Sequence, residues 1–310
     1  MIGANATRTA LRPIALLAAS VSFLGPCTIW SQTTSLRAAP PPDLAEITVI
    51  APRPPTPSEV AGDNVMTFID SHSKPKTSGT GTLSRWKEAV CIKTEGLPPA
   101  LAEYVSARVE AIAAAVKTPR EKRSPCRPNV YVIFTNEPQR AIDMAVDQNP
   151  GILGYHYSSQ RQKLKTFDHP IQAWHVTGLE SGAYGVVLDS VWAPPLYVTG
   201  ASRISTGVHS FILFTLVVVD GKKVLGYPLT AISDYVAMLT LSQVRLIDGC
   251  GELPSILDLM ATACTREKSQ SVTAADLAYL RALNTVGQEV DYFMQKTDIE
   301  AKMKKQLASR

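Results

Sequence analysis

The segment Leu229 to Gln243, LTAISDYVAMLTLSQ, constrains the fold of this chain more than any other. Ile232, Tyr235, Val236 and Leu239, continued by Val244, recur at the three- and four-residue steps of a packed helix face. We expect a helix over 229–246. Before it, His209 to Asp220 (HSFILFTLVVVD) is rich in β-branched and aromatic residues, as a buried strand is. Its apolar run, Phe211 to Val219, is only nine residues long, which is too short to span a membrane. Asp220-Gly221 reads as a hairpin turn closing the strand. A long buried strand followed by an apolar helix calls for a sheet with a helical layer against it.

The remaining periodicities supply that sheet and layer. Trp86 to Lys93 (WKEAVCIK) alternates like a strand. Pro98 to Lys117 is an amphipathic helix carrying Leu101, Tyr104, Val105, Val109, Ile112 and Val116. Pro98 and Pro99 suit its first turn and Pro119 stops it. Asn129 to Phe134 is a compact strand, and Pro138 to Asp147 a second helix ended by Asn149-Pro150-Gly151. Ala173–Thr177 and Ala183–Asp189 read as strands around Glu180-Ser181-Gly182. Helices then run from Thr273 to about Lys305, with Asp276 in capping-box position to Thr273. This order predicts an α+β fold: a mixed twisted sheet with a preceding long helix and a helical C-terminal part.

Ahead of that domain lies a different kind of sequence. Arg8 and Arg12 precede an eleven-residue apolar run, Ile14 to Leu24, closed by Gly25-Pro26. These features predict a secretory signal over 1–31, with cleavage as late as Ala38, and an exported protein, periplasmic or extracellular. Residues 32–82 are rich in Pro, Ser, Thr and Gly and poor in large apolar groups, so they read as a disordered linker holding His72. The single α+β domain is expected at 83–310. Inside the linker, Glu46 to Arg53 (EITVIAPR) is an isolated strand-like patch. It resembles the TonB box of outer-membrane receptors, which implies a partner that gains a strand.

Export sets the reading of the cysteines. With Cys27 in the leader, Cys91, Cys126, Cys250 and Cys264 remain, and disulfides are the default in an oxidising compartment. Four cysteines allow three pairings. Cys91–Cys126 and Cys250–Cys264 are favoured, because each pair flanks one local unit. The spacing lacks any C-x-x-C, which weighs against a four-thiolate zinc site. The net charge of +4 is spread along the chain, without the dense basic stripe of a nucleic-acid face. No segment of the mature chain reaches membrane-spanning length.

Two resemblances follow from these motifs. The helix at 229–243, then PSILDLM (Pro254 to Met260) and VTAADLAYLRAL (Val272 to Leu283), resembles the end of matrixin-like zinc proteases, the zincin fold. There a helix carries H-E-x-x-H-x-x-G-x-x-H. In that frame Ser233 stands for the first His, Asp234 for the general-base Glu, Ala237 for the second His and Gln243 for the third, so the usual zinc ligands are missing. The chain also resembles uncharacterised exported proteins of Gram-negative bacteria. It shares their Cys126–Val130, Leu153–His156, Gln172–Gly178 and Ser233–Met238 motifs. No activity comes with that resemblance.

Other chemistry has little support. The five histidines, His72, His156, His169, His175 and His209, show no metal-ligand spacing, and we expect no metal or cofactor. There is no G-x-S-x-G elbow and no phosphate-binding glycine motif. Asp189, Asp220 and Asp234 are the carboxylates to consider for acid–base work, and each has a structural role available. Aromatic residues concentrate in one region: Tyr155, His156 and Tyr157, then Trp174 and His175, followed by Tyr184, Trp192 and Tyr197. Tyr155, His156, Tyr157, Trp174 and His175 are the candidate ligand-binding residues. The sequence therefore points to an exported binding or envelope-associated protein without catalysis, with an unknown protein or peptide partner. The alternative is a secreted hydrolase using His156, His169 or His175.

Overall fold

Val208–Asp220 is the longest strand in a computed structural model of the chain, and the sheet is built around it. The structure describes residues 56–61, 63–73, 82–119, 125–155, 157–181, 185–188, 207–245, 248–287 and 290–308. All of them fall within one compact unit, residues 41–310. The signal segment and the strand-like patch Glu46 to Arg53 lie outside the described residues.

In chain order the helices are α1 (Pro57–Val60), α2 (Asn64–His72), α3 (Pro99–Ala115), α4 (Pro138–Gln148), α5 (Arg161–Leu164), α6 (Leu229–Leu241), α7 (Ala274–Thr285) and α8 (Tyr292–Ala308). The strands are β1 (Arg85–Trp86), β2 (Ile92–Glu95), β3 (Val130–Thr135), β4 (Ile171–Ser181), β5 (Gly185–Leu188) and β6 (Val208–Asp220). A 3-10 helix, Ile256–Met260, joins α6 to α7. The sheet runs β2-β3-β6-β4-β5, with β1 beside the start of β6. Strands β1, β2, β3 and β6 are parallel, while β4 and β5 are antiparallel to their neighbours. The fold is thus α+β around a mixed sheet, with a helical C-terminal part.

Alternation along the strands divides the core in two. Val130, Val132 and Phe134 of β3, with Ile212, Val217 and Val219 of β6, face α3, α6 and α7 in the main core. Leu216 and Val218 face the other way, onto Ile142 and Val146 of α4, with Tyr155 and Trp174 beside them. Helix α6 is buried at every position from Ala231 to Leu241, as expected of a helix apolar on all sides. It ends at Leu241 rather than near 246, where Ser242 leaves the helical conformation and its hydroxyl donates to Met238 O at 3.0 Å.

Three expectations need correction. Trp86 to Lys93 is not one strand. Asn129 breaks it: its Nδ2 donates to Ala89 O and its Oδ1 accepts the Cys91 N–H, both at 2.9 Å, so the chain bends between β1 and β2. Asp220-Gly221 closes β6 but opens no hairpin, since the chain turns through Lys222–Pro228 into α6. The domain also begins before Leu83. Residues 57–60 and 64–72, assigned to the disordered linker, are helical. Thr56 and Glu59 form a capping box at α1, and α2 buries Val65, Phe68, Ile69 and His72 at i, i+3, i+4 and i+7. Neighbouring Pro and Ser diluted this short apolar stripe in the composition.

Two disulfides, Cys91–Cys126 and Cys250–Cys264, close loops with sequence separations of 35 and 14. Loop closure of these lengths restricts the unfolded chain by about 4 and about 3 kcal/mol respectively. No helix of the described residues is long and apolar enough to cross a membrane.

Candidate functional site

Helix α6 holds three of the four positions that the matrixin-like frame would use for chemistry, and all three are buried in the core. Both carboxylate oxygens of Asp234 are taken. Arg108 Nε donates to Oδ1 at 2.6 Å and Arg108 Nη2 to Oδ2 at 2.9 Å, while the Val272 N–H donates to Oδ2 at 2.7 Å. The fork thus ties α3 to α6 and both to the start of α7. Burial opposes charge on Arg108, but the hydrogen bonds and charge of Asp234 outweigh it and hold the guanidinium pKa above its ordinary value. Ser233 Oγ donates to Leu229 O at 2.7 Å, one turn back. Ala237 is fully buried, and Gln243 lies beyond the helix end.

A second buried polar group lies where α2 meets the C-terminal helices. The His72 ring is 1% exposed and stacks on Phe68 with centroids 3.7 Å apart. Its Nδ1 is 2.9 Å from Phe68 O and from Ser71 Oγ, and its Nε2 is 3.0 Å from Ser255 Oγ. Ser255 Oγ in turn donates to Asp276 Oδ1 at 2.7 Å. Asp276 Oδ2 accepts from Ile256 N–H, Thr273 N–H and Thr273 Oγ, each at 2.9 Å. Burial lowers the His72 pKa to about 4, against the pull of Phe68 O and the Asp258 charge. Burial raises the Asp276 pKa to about 6, although its hydrogen bonds favour the charged form. The sequence assigned His72 to the linker. The structure places it in the core because α2 carries it there.

The candidate ligand-binding residues do not form one surface. Tyr155 and Trp174 are 4% and 2% exposed and belong to the smaller core cluster, where Trp174 Nε1 donates to Leu164 O at 2.7 Å. His175, the next residue of β4, points to the opposite face, and its Nε2 lies 2.7 Å from Leu239 O of α6. Strand alternation makes it impossible for Trp174 and His175 to share a face. Tyr157 is exposed. His156 lies outside the described residues, as do Tyr184, Asp189, Trp192 and Tyr197. His169 sits on the surface with Nε2 3.7 Å from Asp168 Oδ1, and His209 packs beside the Phe211 ring. Asp220 Oδ1 accepts the Lys222 N–H at 3.0 Å, shaping the turn after β6. Among the described residues no three His, Cys, Asp or Glu side chains are grouped to hold a metal ion.

A concavity among the described residues lies elsewhere, at the carboxyl ends of the parallel strands β2, β3 and β6. Gly96, Thr135, Asn136 and Gly221 form its floor and the start of α6 one wall. Leu97, Val224, Leu225, Tyr227, Leu229 and Ile232 supply apolar lining to a cleft of about 310 Å³. Carboxyl ends of strands in open α/β sheets are where ligands commonly bind. Glycine is required at Gly96, where φ is +85° and a Cβ would lie 1.9 Å from Phe134 O. A Cβ on Gly221 would lie 2.9 Å from Asn136 Oδ1. The rim is open and apolar, with Leu225 85% and Tyr227 39% exposed. The sequence did carry a signal for this site: β2 and β6 each end in an acidic residue followed by glycine, Glu95-Gly96 and Asp220-Gly221.

No family model, curated protein or solved structure matches the chain.

Proposed function

We propose that this chain is an exported binding protein whose ligand site carries no catalytic group. The site is the cleft at the ends of β2, β3 and β6, and its ligand is a short peptide segment presenting an apolar side chain. One observation carries this reading: among the described residues, the cleft lining contains no carboxylate, imidazole, thiol, amine or guanidinium group. The Thr135 hydroxyl and Tyr227 phenol would need such a group beside them to be activated for nucleophilic attack. What the lining offers is apolar surface with the Asn136 amide and the Thr135 hydroxyl at the floor. That combination suits a side chain to be buried and a backbone amide to be oriented. Export rests on the N-terminal segment and on the paired cysteines. The matrixin-like resemblance stays within the proposal as a frame that has lost its metal ligands.

The test is a titration of the ¹⁵N-labelled chain with acetyl-Ala-Leu-Ala-amide. Burying one leucine side chain stabilises by about 1.5–3 kcal/mol, so a Kd of about 5–100 mM is expected. Amide shifts should cluster at Gly96, Asn136, Gly221, Gly226 and Tyr227, and L225D should abolish them. Shifts centred on Tyr155–Tyr157 or on Ser233–Gln243 would refute the reading.

A further inference from the structure

Helix α2 is held differently from the rest of the core. It packs on α8 and, through the His72 ring, reaches the Ile256–Met260 turn and α7. Residues 74–81, which connect it to β1, lie outside the described residues. Its anchor is an apolar stripe of three side chains, Val65, Phe68 and Ile69, closed by a titratable ring. This is the helix-in-groove arrangement, with the occupant supplied in cis.

We propose that α2 is an acid-released strap: charging His72 detaches Asn64–His72 from the groove between α7, α8 and the Ile256–Met260 turn while the sheet and its helices stay folded. The inference is independent of the cleft. It rests on what faces the ring. From α7 come Asp276, reached through Ser255, and Tyr279, whose hydroxyl donates to His72 O at 3.3 Å. From the 3-10 turn comes Asp258, already paired with Arg266. From α8 come Tyr292, bonded to Ser73 at 3.1 Å, and Lys296, paired with Asp70 of α2 itself at 2.6 Å. None of these is a free carboxylate against the imidazole.

An imidazolium here would need a counter-charge, and the carboxylate its hydrogen bonds lead to, Asp276, is one hydroxyl away. Asp276 gains its own proton near pH 6, so it is neutral before His72 charges. The buried cation then faces only the Asp258 charge, which Arg266 already pairs, and α2 is the element that carries it. The sign is fixed by linkage. The docked ring has its pKa lowered from 6.5 to about 4, so docking is full above pH 6.5 and is lost as pH falls. Each pH unit below 6.5 weakens docking about tenfold until the docked pKa is reached.

The experiment follows isoleucine δ1-methyl resonances of the full chain from pH 7 to 4. Ile69 reports α2, and Ile112 and Ile212 report the main core. The proposal expects the Ile69 methyl to move to a random-coil position within that range, with Ile112 and Ile212 unchanged. In H72Q, Ile69 should keep its native shift to pH 4. F68A removes the stacked ring and weakens docking, so Ile69 should leave at a higher pH than in the parent chain. Simultaneous loss of Ile69, Ile112 and Ile212 would overturn the proposal. Release in H72Q at the parent pH would also overturn it, as would an unchanged release pH in F68A.

Discussion

The helical side of the domain and the open end of its sheet use polar chemistry in opposite ways. On the helical side, Arg108, Asp234, His72, Ser255 and Asp276 are buried, and each is held by named partners. At the sheet end, the cleft is open, apolar at its rim, and among the described residues lined by no ionisable group apart from the Tyr227 phenol. The titratable residues have gone into joining elements, and the concave surface is left to glycine, amide, hydroxyl and apolar groups.

The sharpest way to break this contrast is at Asp234. D234A should remove the buried carboxylate that takes two hydrogen bonds from Arg108 and cost about 4 kcal/mol in urea denaturation at pH 7. A small loss would mean that the fork is not joining α3, α6 and α7. Next in size is the pH response of the His72–Ser255–Asp276 group. The folded-state pKa of Asp276 is raised, so its stabilising contribution is full below 3.8 and lost as pH rises through about 6. The His72 contribution is full above 6.5 and lost as pH falls toward 4. Each is worth about 3 kcal/mol, and they oppose each other. Global stability of the parent chain should therefore change little between pH 4 and 6.5. H72Q should gain stability as pH falls through 6, and D276N should lose it as pH falls below 6.5. Parallel profiles in the two variants would contradict the assignment.

The glycines at the sheet end give a smaller effect. G96A forces a Cβ onto Phe134 O from a positive φ and should destabilise by about 2 kcal/mol. G226A has the same backbone strain but open space around it, so about 1 kcal/mol is expected. Equal losses would mean that the close approach of Gly96 to β3 is relaxed. The smallest stability effect belongs to L225D, within about 0.5 kcal/mol, because Leu225 is almost wholly exposed.

Much of this architecture was legible in the sequence because strong periodicity decided it. The β6 strand, α3, α6 and the Thr273–Asp276 cap are each written in local pattern, and the cysteine pairs in their flanking units. The readings that departed from the structure depended on side chains meeting across distance. Asn129 interrupts the 86–93 run from 38 residues away in sequence, at Cys91. His72 is buried because Ser255, 183 positions later, sits opposite it. Trp174 and His175 looked like one aromatic surface because adjacency in sequence hides alternation between sheet faces. The cleft left only a faint trace, the glycines after β2 and β6, since strand order cannot be read from the strands themselves.

The central claim is that α6 is a joint and the sheet end is the site. The most direct measurement is peptide affinity in the double variant R108M/D234L, with acetyl-Ala-Leu-Ala-amide as ligand. Replacing a buried ion pair by apolar residues of similar volume is often near neutral for stability. The account predicts a folded protein whose affinity stays within about twofold of the parent, as expected for separate sites. A folded variant that no longer binds the peptide would make the Arg108–Asp234 fork part of the binding site and contradict it.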